Sequence, residues 1–164
     1  MRLRHETPAD AAAIRDLTYA AFATTSFSDG TEGAIPEKLR AAGDLSLSIV
    51  ADIDGAVVGQ VSVSPAQVGG APGWYGIGPI AVAPDRFHQG IGSALIHATT
   101  GWALGMGAAG LVLTGSDVYY PRFGFESGAV SYLTTPERFC FRLVLNGPAA
   151  SGEITFAPAL QEAG

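Results

Sequence analysis

Cations are scarce in this 164-residue chain: Lys38 is its one lysine, and nine Lys+Arg stand against fifteen Asp+Glu, a net charge of −6. A chain with so little to set against phosphates argues against nucleic-acid binding through a basic face. Cysteine is scarcer. Cys140 alone cannot form an internal disulfide, and neither a CxxC nor an HExxH pattern offers a metal site. No run reaches the ~18 apolar residues of a membrane span, and no apolar signal region follows Met1–Glu6. A soluble, cytoplasmic protein is therefore expected, with no membrane or nucleic-acid partner. What is plentiful is apolar: 48% of residues are hydrophobic and 15% charged, which excludes disorder for most of the chain. The length suits one domain by the usual prior of roughly 100–200 residues, so a single domain over 1–164 is expected.

Glycine and proline, 22 and 10 of them, divide the chain into short elements without an internal repeat. Arg2–His5 reads as an opening strand. Thr7-Pro8-Ala9-Asp10 supplies a cap, a first-turn proline and an acid for a helix running to about Ala23, with Ile14, Leu17 and Ala21 on its apolar stripe. Thr24–Gly33 is a polar loop, and Pro36–Ala42 a short helix stopped by Gly43. Leu45–Ile53 and Ala56–Ser64 form a hairpin across Asp54-Gly55. Trp74–Val82 is a strand broken internally by Gly76, Gly78 and Pro79. Such a strand loses pairing at its middle, splays from its neighbour and opens a cleft. A helix follows Gly90-Ile91-Gly92, with Ile91, Leu95, Ala98 and Trp102 on one face. Leu111–Thr114, Arg138–Leu145 and Glu153–Phe156 add strands, and Ser116-Asp117 caps a brief helix through Tyr119-Tyr120. The sum is an α+β fold: a mixed sheet flanked by helices.

Strand, loop, Gly-x-Gly, helix is an arrangement that binds anions, because unclaimed amides and the macrodipole of a helix N-terminus stabilise phosphate. A bare Gly-x-Gly is also what a simple turn needs. A dinucleotide fingerprint would need a small residue where Leu95 stands, and a P-loop would need a lysine here; neither fits.

Ile80-Ala81-Val82-Ala83-Pro84-Asp85-Arg86-Phe87-His88-Gln89-Gly90-Ile91-Gly92-Ser93-Ala94-Leu95 resembles the acetyl-CoA motif of the GNAT superfamily of N-acetyltransferases, with six residues from Pro84 to Gly90. Tyr120-Pro121-Arg122-Phe123-Gly124-Phe125 resembles that superfamily's second signature, Tyr-x-x-x-Gly-Phe. The Asp54-Gly55 hairpin fits its central strands, so the resemblance covers nearly the whole chain. Two features depart from it. Phe87 stands where Gln or Arg is usual, and no asparagine ends the strand near Leu113 and Ser116.

The resemblance implies the GNAT-like fold, with a mostly antiparallel sheet and a splayed motif strand, and acetyl-CoA as co-substrate without a metal. Backbone amides of Gln89, Gly90, Ile91, Gly92, Ser93 and Ala94 would hold the pyrophosphate, with His88 and Arg122 near phosphate. Ile80, Ala81 and Val82 would pair with the pantetheine arm, and Tyr120 would protonate the leaving thiolate. The implied reaction is direct attack by a primary amine, of a small molecule or peptide, on acetyl-CoA in a ternary complex.

The chemistry itself sets the demands. An alkylamine with a pKa of about 10.4 must lose a proton, the developing oxyanion needs donors, and the thiolate needs a proton. For the base, Glu32, Asp29, Asp117, Glu126 and a water chain all stay open, since Trp74–Ala83 contains no acid. Phe22–Gly33, Trp74-Tyr75 and the segment after Phe125 are the expected walls of the acceptor pocket. Tyr119 and His97 read as packing and surface residues. Cys140, in an alternating strand, reads as a buried small hydrophobe rather than a nucleophile. A catalytically idle acyl-CoA-binding module, transfer of a longer acyl group and a homodimer are the remaining alternatives.

Overall fold

The computed structural model describes residues 1–25 and 28–162. Strands β1 (Arg2–His5), β2 (Leu47–Ile53), β3 (Ala56–Val68), β4 (Ala71–Val82), β5 (Gly110–Thr114) and β7 (Cys140–Val144) lie side by side in that order. All neighbours are antiparallel except β4 and β5, which run parallel. Two short strands, β6 (Val130–Ser131) and β8 (Gly152–Thr155), pair with each other, and β8 pairs with the far end of β3. Helix α3 (Ile91–Gly105) covers one face of the sheet; α1 (Ala11–Phe22), α2 (Ile35–Ala42) and α4 (Pro158–Glu162) belong to the other side.

The sequence patterns become these elements for identifiable reasons. Asp54 and Gly55 both have left-handed φ, 52° and 85°, the twist that joins β2 to β3 in two residues. On α3, Ile91, Leu95 and Ile96 are buried against Val61, Val63, Leu111 and Leu113 of the sheet. A 3₁₀ turn at Pro8–Asp10 opens α1, and Leu17 and Ala21 of that helix bury against Ala81. None of the described helices is long and apolar enough to cross a membrane.

Strand β3 continues to Val68, past the expected stop before Pro65. Beyond Val63 it has left β2, and β8 joins only at Gln67, so Pro65 sits where its missing N–H faces an unpaired edge. The two-residue β6 and five-residue α4 had no legible period. Pairing with β8 and packing of Ala157 and Ala159 on Ile35 and Leu39 hold them instead.

Asp10 ties three elements together. Its Oδ2 accepts hydrogen bonds from Arg4 Nη1 at 2.7 Å and from the Thr7 amide at 2.7 Å, while Arg4 Nε donates to Asp52 on β2 at 3.2 Å. The Arg4 hydrogen bond first, then the Thr7 amide, hold the Asp10 carboxyl well below the usual carboxylate range. A carboxyl more acidic in the folded than in the unfolded chain stabilises fully above its ordinary pKa, and that stability is lost as pH falls. Asp10→Asn should lower stability at pH 7 by about 1 kcal/mol, or about 2–4 °C in Tm. The gap from the parent should narrow between pH 5 and pH 2. Thermal melts across that range check this, and equal Tm values at pH 7 would refute it.

Candidate active site

The cleft is built by unpairing two neighbours. β4 pairs with β5 only at Trp74, Tyr75 and Gly76, whereas it stays on β3 through to Val82. Beyond Gly76 the β5-facing edge of β4 is open, and Ile77 to Val82 line a cleft of about 1010 Å³ whose other wall starts at Thr114 and Gly115, where β5 ends. The amide of Ala83 donates to Val58 of β3 at 2.8 Å. Strand alternation then directs the Ala81 amide to β3 as well, and turns those of Ile80 and Val82 to the open edge.

At the mouth, Gly90 takes a left-handed φ of 81° and no side chain caps α3. The first intrahelical bond runs from the Ala94 amide to the Gly90 carbonyl, 3.0 Å, so the amides of Ile91, Gly92 and Ser93 precede the helix's hydrogen-bond ladder. All three residues line the cleft together with His88 and Gly90. Gln89 and Ala94 do not line it, and the Ala94 amide is already used. The expected cradle is thus narrower than Gln89–Ala94.

The Tyr120 ring reaches into the same cleft, held edge-on to Phe125 and tilted against Phe141, with ring centroids 6.0 and 6.1 Å away. It lies over Gly115, where any Cβ would strike the ring. Burial, and secondarily the neighbouring Tyr119, raise the phenol above its ordinary value, so it is protonated throughout the neutral range. Tyr119 does more than pack: its hydroxyl lies 2.7 Å from where a Cβ on Gly92 would be, so a side chain at the second residue of α3 would have to displace the phenol tip. The Arg122 guanidinium stacks on Tyr119, 4.7 Å from the ring centre, and lines the cleft. His97 is exposed on α3 beside Phe123 and lines no part of the cleft. Phe87, 41% exposed, and Arg86 lie on the cradle side, where the usual polar side chain is missing.

Of the carboxylates proposed as bases, the fold brings one to the cleft. Glu32 lines it, and its Oε2 is buried without a hydrogen-bond partner among the described residues. Asp29 accepts from the Thr31 amide and hydroxyl at 2.9 and 2.6 Å, contacts that lower its pKa together with the nearby Glu32 carboxyl. Asp117 lies 3.9 Å from Arg138, Glu126 pairs with Arg142 at 2.9 Å, and neither lines the cleft.

The expected pocket walls need correction at two residues. Trp74 is 1% exposed, in the core beside Gly110, and Tyr75 stacks edge-on with Trp102 of α3, 5.0 Å between centroids. A strand start beside the sheet's parallel pair leaves both rings inside. Phe22, Thr24 and Thr25 do line the cleft; Ser26 and Phe27 of the same loop lie outside the described residues. After Phe125 the wall is Tyr132, joined by Phe156 and Leu160, which sequence reasoning missed because they follow so weakly patterned a segment. Leu113 is a core residue, so Thr114 is the side chain that β5 presents at the cleft. Cys140 is fully buried, and burial raises its thiol.

The Acetyltransferase (GNAT) family profile matches residues 12–125. The uncharacterized N-acetyltransferase YhbS of Escherichia coli K12 is 35% identical over 131 residues, 79% of this chain and 75% of that protein. A GNAT family acetyltransferase from Brucella melitensis, solved in complex with acetyl-CoA, is 40% identical with a TM-score of 0.86 over 97% of both chains. The structure of Escherichia coli YhbS with CoA gives a TM-score of 0.89 at 27% identity, covering 99% of this chain and 93% of that one. On its sequence, its sheet and its cleft, the chain belongs to the GNAT family of acetyltransferases.

Proposed function

We propose that the protein transfers an acetyl group from acetyl-CoA to a primary amine of a small molecule or peptide, by direct attack within a ternary complex. The observation that carries this reading is the position of Tyr120: a phenol that lines the same cleft as the open edge of β4 and the first turn of α3. The acetyl-CoA complex of a 40%-identical relative supports the donor. The cleft fits it too. Gly90 leaves open space where a side chain would stand, and the amides of Ile91, Gly92 and Ser93 precede the hydrogen-bond ladder of α3.

In this reading the amides of Ile91, Gly92 and Ser93, with His88 and Gly90 beside them, hold the diphosphate against the positive end of the helix. Arg122 adds a cation at the rim. Ile80 and Val82 extend hydrogen bonds to the pantetheine arm as an added strand would, with Ala81 setting their spacing. The thioester supplies an activated acetyl carbon, to which the amine nitrogen bonds as the carbon–sulfur bond breaks. Open-edge amides of β4 stabilise charge developing on the acetyl oxygen. Tyr120 gives its proton to the departing sulfur, and the proton that the nitrogen sheds on becoming an amide restores the phenol. Phenol is the weaker acid in water, about 10 against about 8.5 for a thiol. Burial raises the proton affinity of a thiolate in the same cleft as well, which brings the two together.

Tyr120→Phe should lower kcat by about 10²–10³-fold, the range of general acid catalysis, with the acetyl-CoA Kd unchanged by calorimetry. An unchanged kcat would remove the acid role. Because its pKa is raised, Tyr120 stays protonated, so kcat should rise with amine deprotonation and show no loss between about pH 7 and pH 9. A fall across that interval would contradict a phenolic donor. Gly92→Ala forces Tyr119 off the first turn of α3 and should weaken CoA binding tenfold or more, an outcome calorimetry reads directly. A CoA-binding chain that releases no thiol with any amine of a broad panel would instead be an idle binding module.

A further inference from the structure

We infer that the acceptor is an amine on an apolar, ring-sized body, with its ammonium held by Glu32; this deepens the reading above and rests on it. The lining of the cleft also includes the apolar side chains of Phe22, Ile35, Phe156 and Leu160. The strand glycines make this wall. A Cβ on Gly76 would stand 2.7 Å from the Phe156 ring and one on Gly78 3.1 Å from Leu160 Cδ1, so both side chains lie directly on the strand.

Two polar atoms interrupt this apolar lining. Glu32 Oε2 and the Tyr132 hydroxyl are both buried without a hydrogen-bond partner among the described residues, and Tyr132 as a residue is only 6% exposed. Tyr132 is fixed edge-on to Phe156, 4.9 Å between ring centres. An unpartnered buried polar atom bears its full desolvation penalty, and it persists where a ligand supplies the missing partner. The adjoining carboxylate, Asp29, accepts from Thr31 and also engages the Glu32 carboxyl, an interaction that leaves Glu32 Oε2 unused. Among the described residues, Glu32 Oε2 is therefore the carboxylate oxygen in the cleft with bonding capacity to spare.

The chemistry of the two atoms specifies a class of ligand. A carboxylate oxygen takes only donors, and a charged donor makes the stronger bond. An alkylamine, with a pKa of about 10.4, arrives as ammonium and matches it. The phenol of Tyr132 can serve one neutral polar group on the body. Phe22, Ile35, Phe156 and Leu160 can serve none, so a body carrying several charges or hydroxyls would bury them unpaired. Arylalkylamines meet these conditions; polyamines and aminoglycosides do not.

The test uses the full chain with acetyl-CoA, 2-phenylethylamine and spermidine, reading free thiol, amine KM and kcat, and acetyl-CoA affinity by calorimetry. The parent should acetylate 2-phenylethylamine with a kcat/KM at least tenfold above that for spermidine. Glu32→Gln should raise the KM for 2-phenylethylamine tenfold or more, with acetyl-CoA affinity and melting temperature unchanged, and Glu32→Asp should recover part of the loss. Tyr132→Phe should erase any preference for tyramine over 2-phenylethylamine, read as the ratio of their kcat/KM values. Acetyl-CoA binding with spermidine preferred, with neither amine acetylated, or with KM unmoved in Glu32→Gln would overturn this inference while leaving the donor site standing. Failure to bind acetyl-CoA would overturn both.

Discussion

Two neighbouring parallel strands that share hydrogen bonds over three residues and then part are the constraint from which the rest of this molecule follows. Had β4 stayed on β5 to its end, its edge amides would be consumed and no groove would reach the first turn of α3. The parting is written into β4 itself: Gly76, Gly78 and Pro79 occupy the stretch where pairing with β5 stops, and the register with β3 shifts between Val61 and Val63, opposite the same stretch. The sheet tolerates the loss because β3 holds β4 along nearly its whole length on the other side.

What fills the opening is set by residues that lack side chains. Gly90 and Gly92 clear the start of α3, Gly115 admits the Tyr120 ring, and Gly76 and Gly78 admit Phe156 and Leu160 on the opposite side of the strand. The aromatic residues 119, 120, 123 and 125 then pack on one another, with centroid separations of 5.1 to 6.0 Å, and hold Tyr120 in place by mutual contact, with no hydrogen bond to its hydroxyl among the described residues. A phenol positioned this way keeps its hydroxyl free for a ligand, which is the property the proposed acid role needs.

Much of this was legible in the sequence, and the exceptions have physical causes. Local signals carried the helices and the hairpin: Pro8 and Asp10 at a helix start, Gly43 at a helix end, Asp54-Gly55 between strands. The glycines inside β4 announced the splay, and the resemblance to the GNAT superfamily, by way of Gly90, Gly92 and Tyr120, pointed to the family. Facing was harder. Periodicity does not say that Trp74 points into the core, that Tyr75 meets Trp102, or that the Ala94 amide is spent on Gly90. Long-range placement was harder still. Glu32 was one of four acids without distinction, and only the fold separates it from Asp29, Asp117 and Glu126 by giving each of those a local partner. Phe156, Leu160 and Tyr132 come from the C-terminal third, where elements of two to five residues take shape from tertiary contacts and leave no periodic trace.

The central claim is that the open edge of β4 and the first turn of α3 together form the coenzyme site. An amide-resolved NMR titration of the ¹⁵N-labelled chain with CoA tests it most directly. The account predicts saturable shifts concentrated at Ile80, Val82, Ile91, Gly92 and Ser93, with Trp74–Gly76, where β4 is still paired, left nearly unmoved. Saturable shifts centred elsewhere, or none at these five amides, would contradict it.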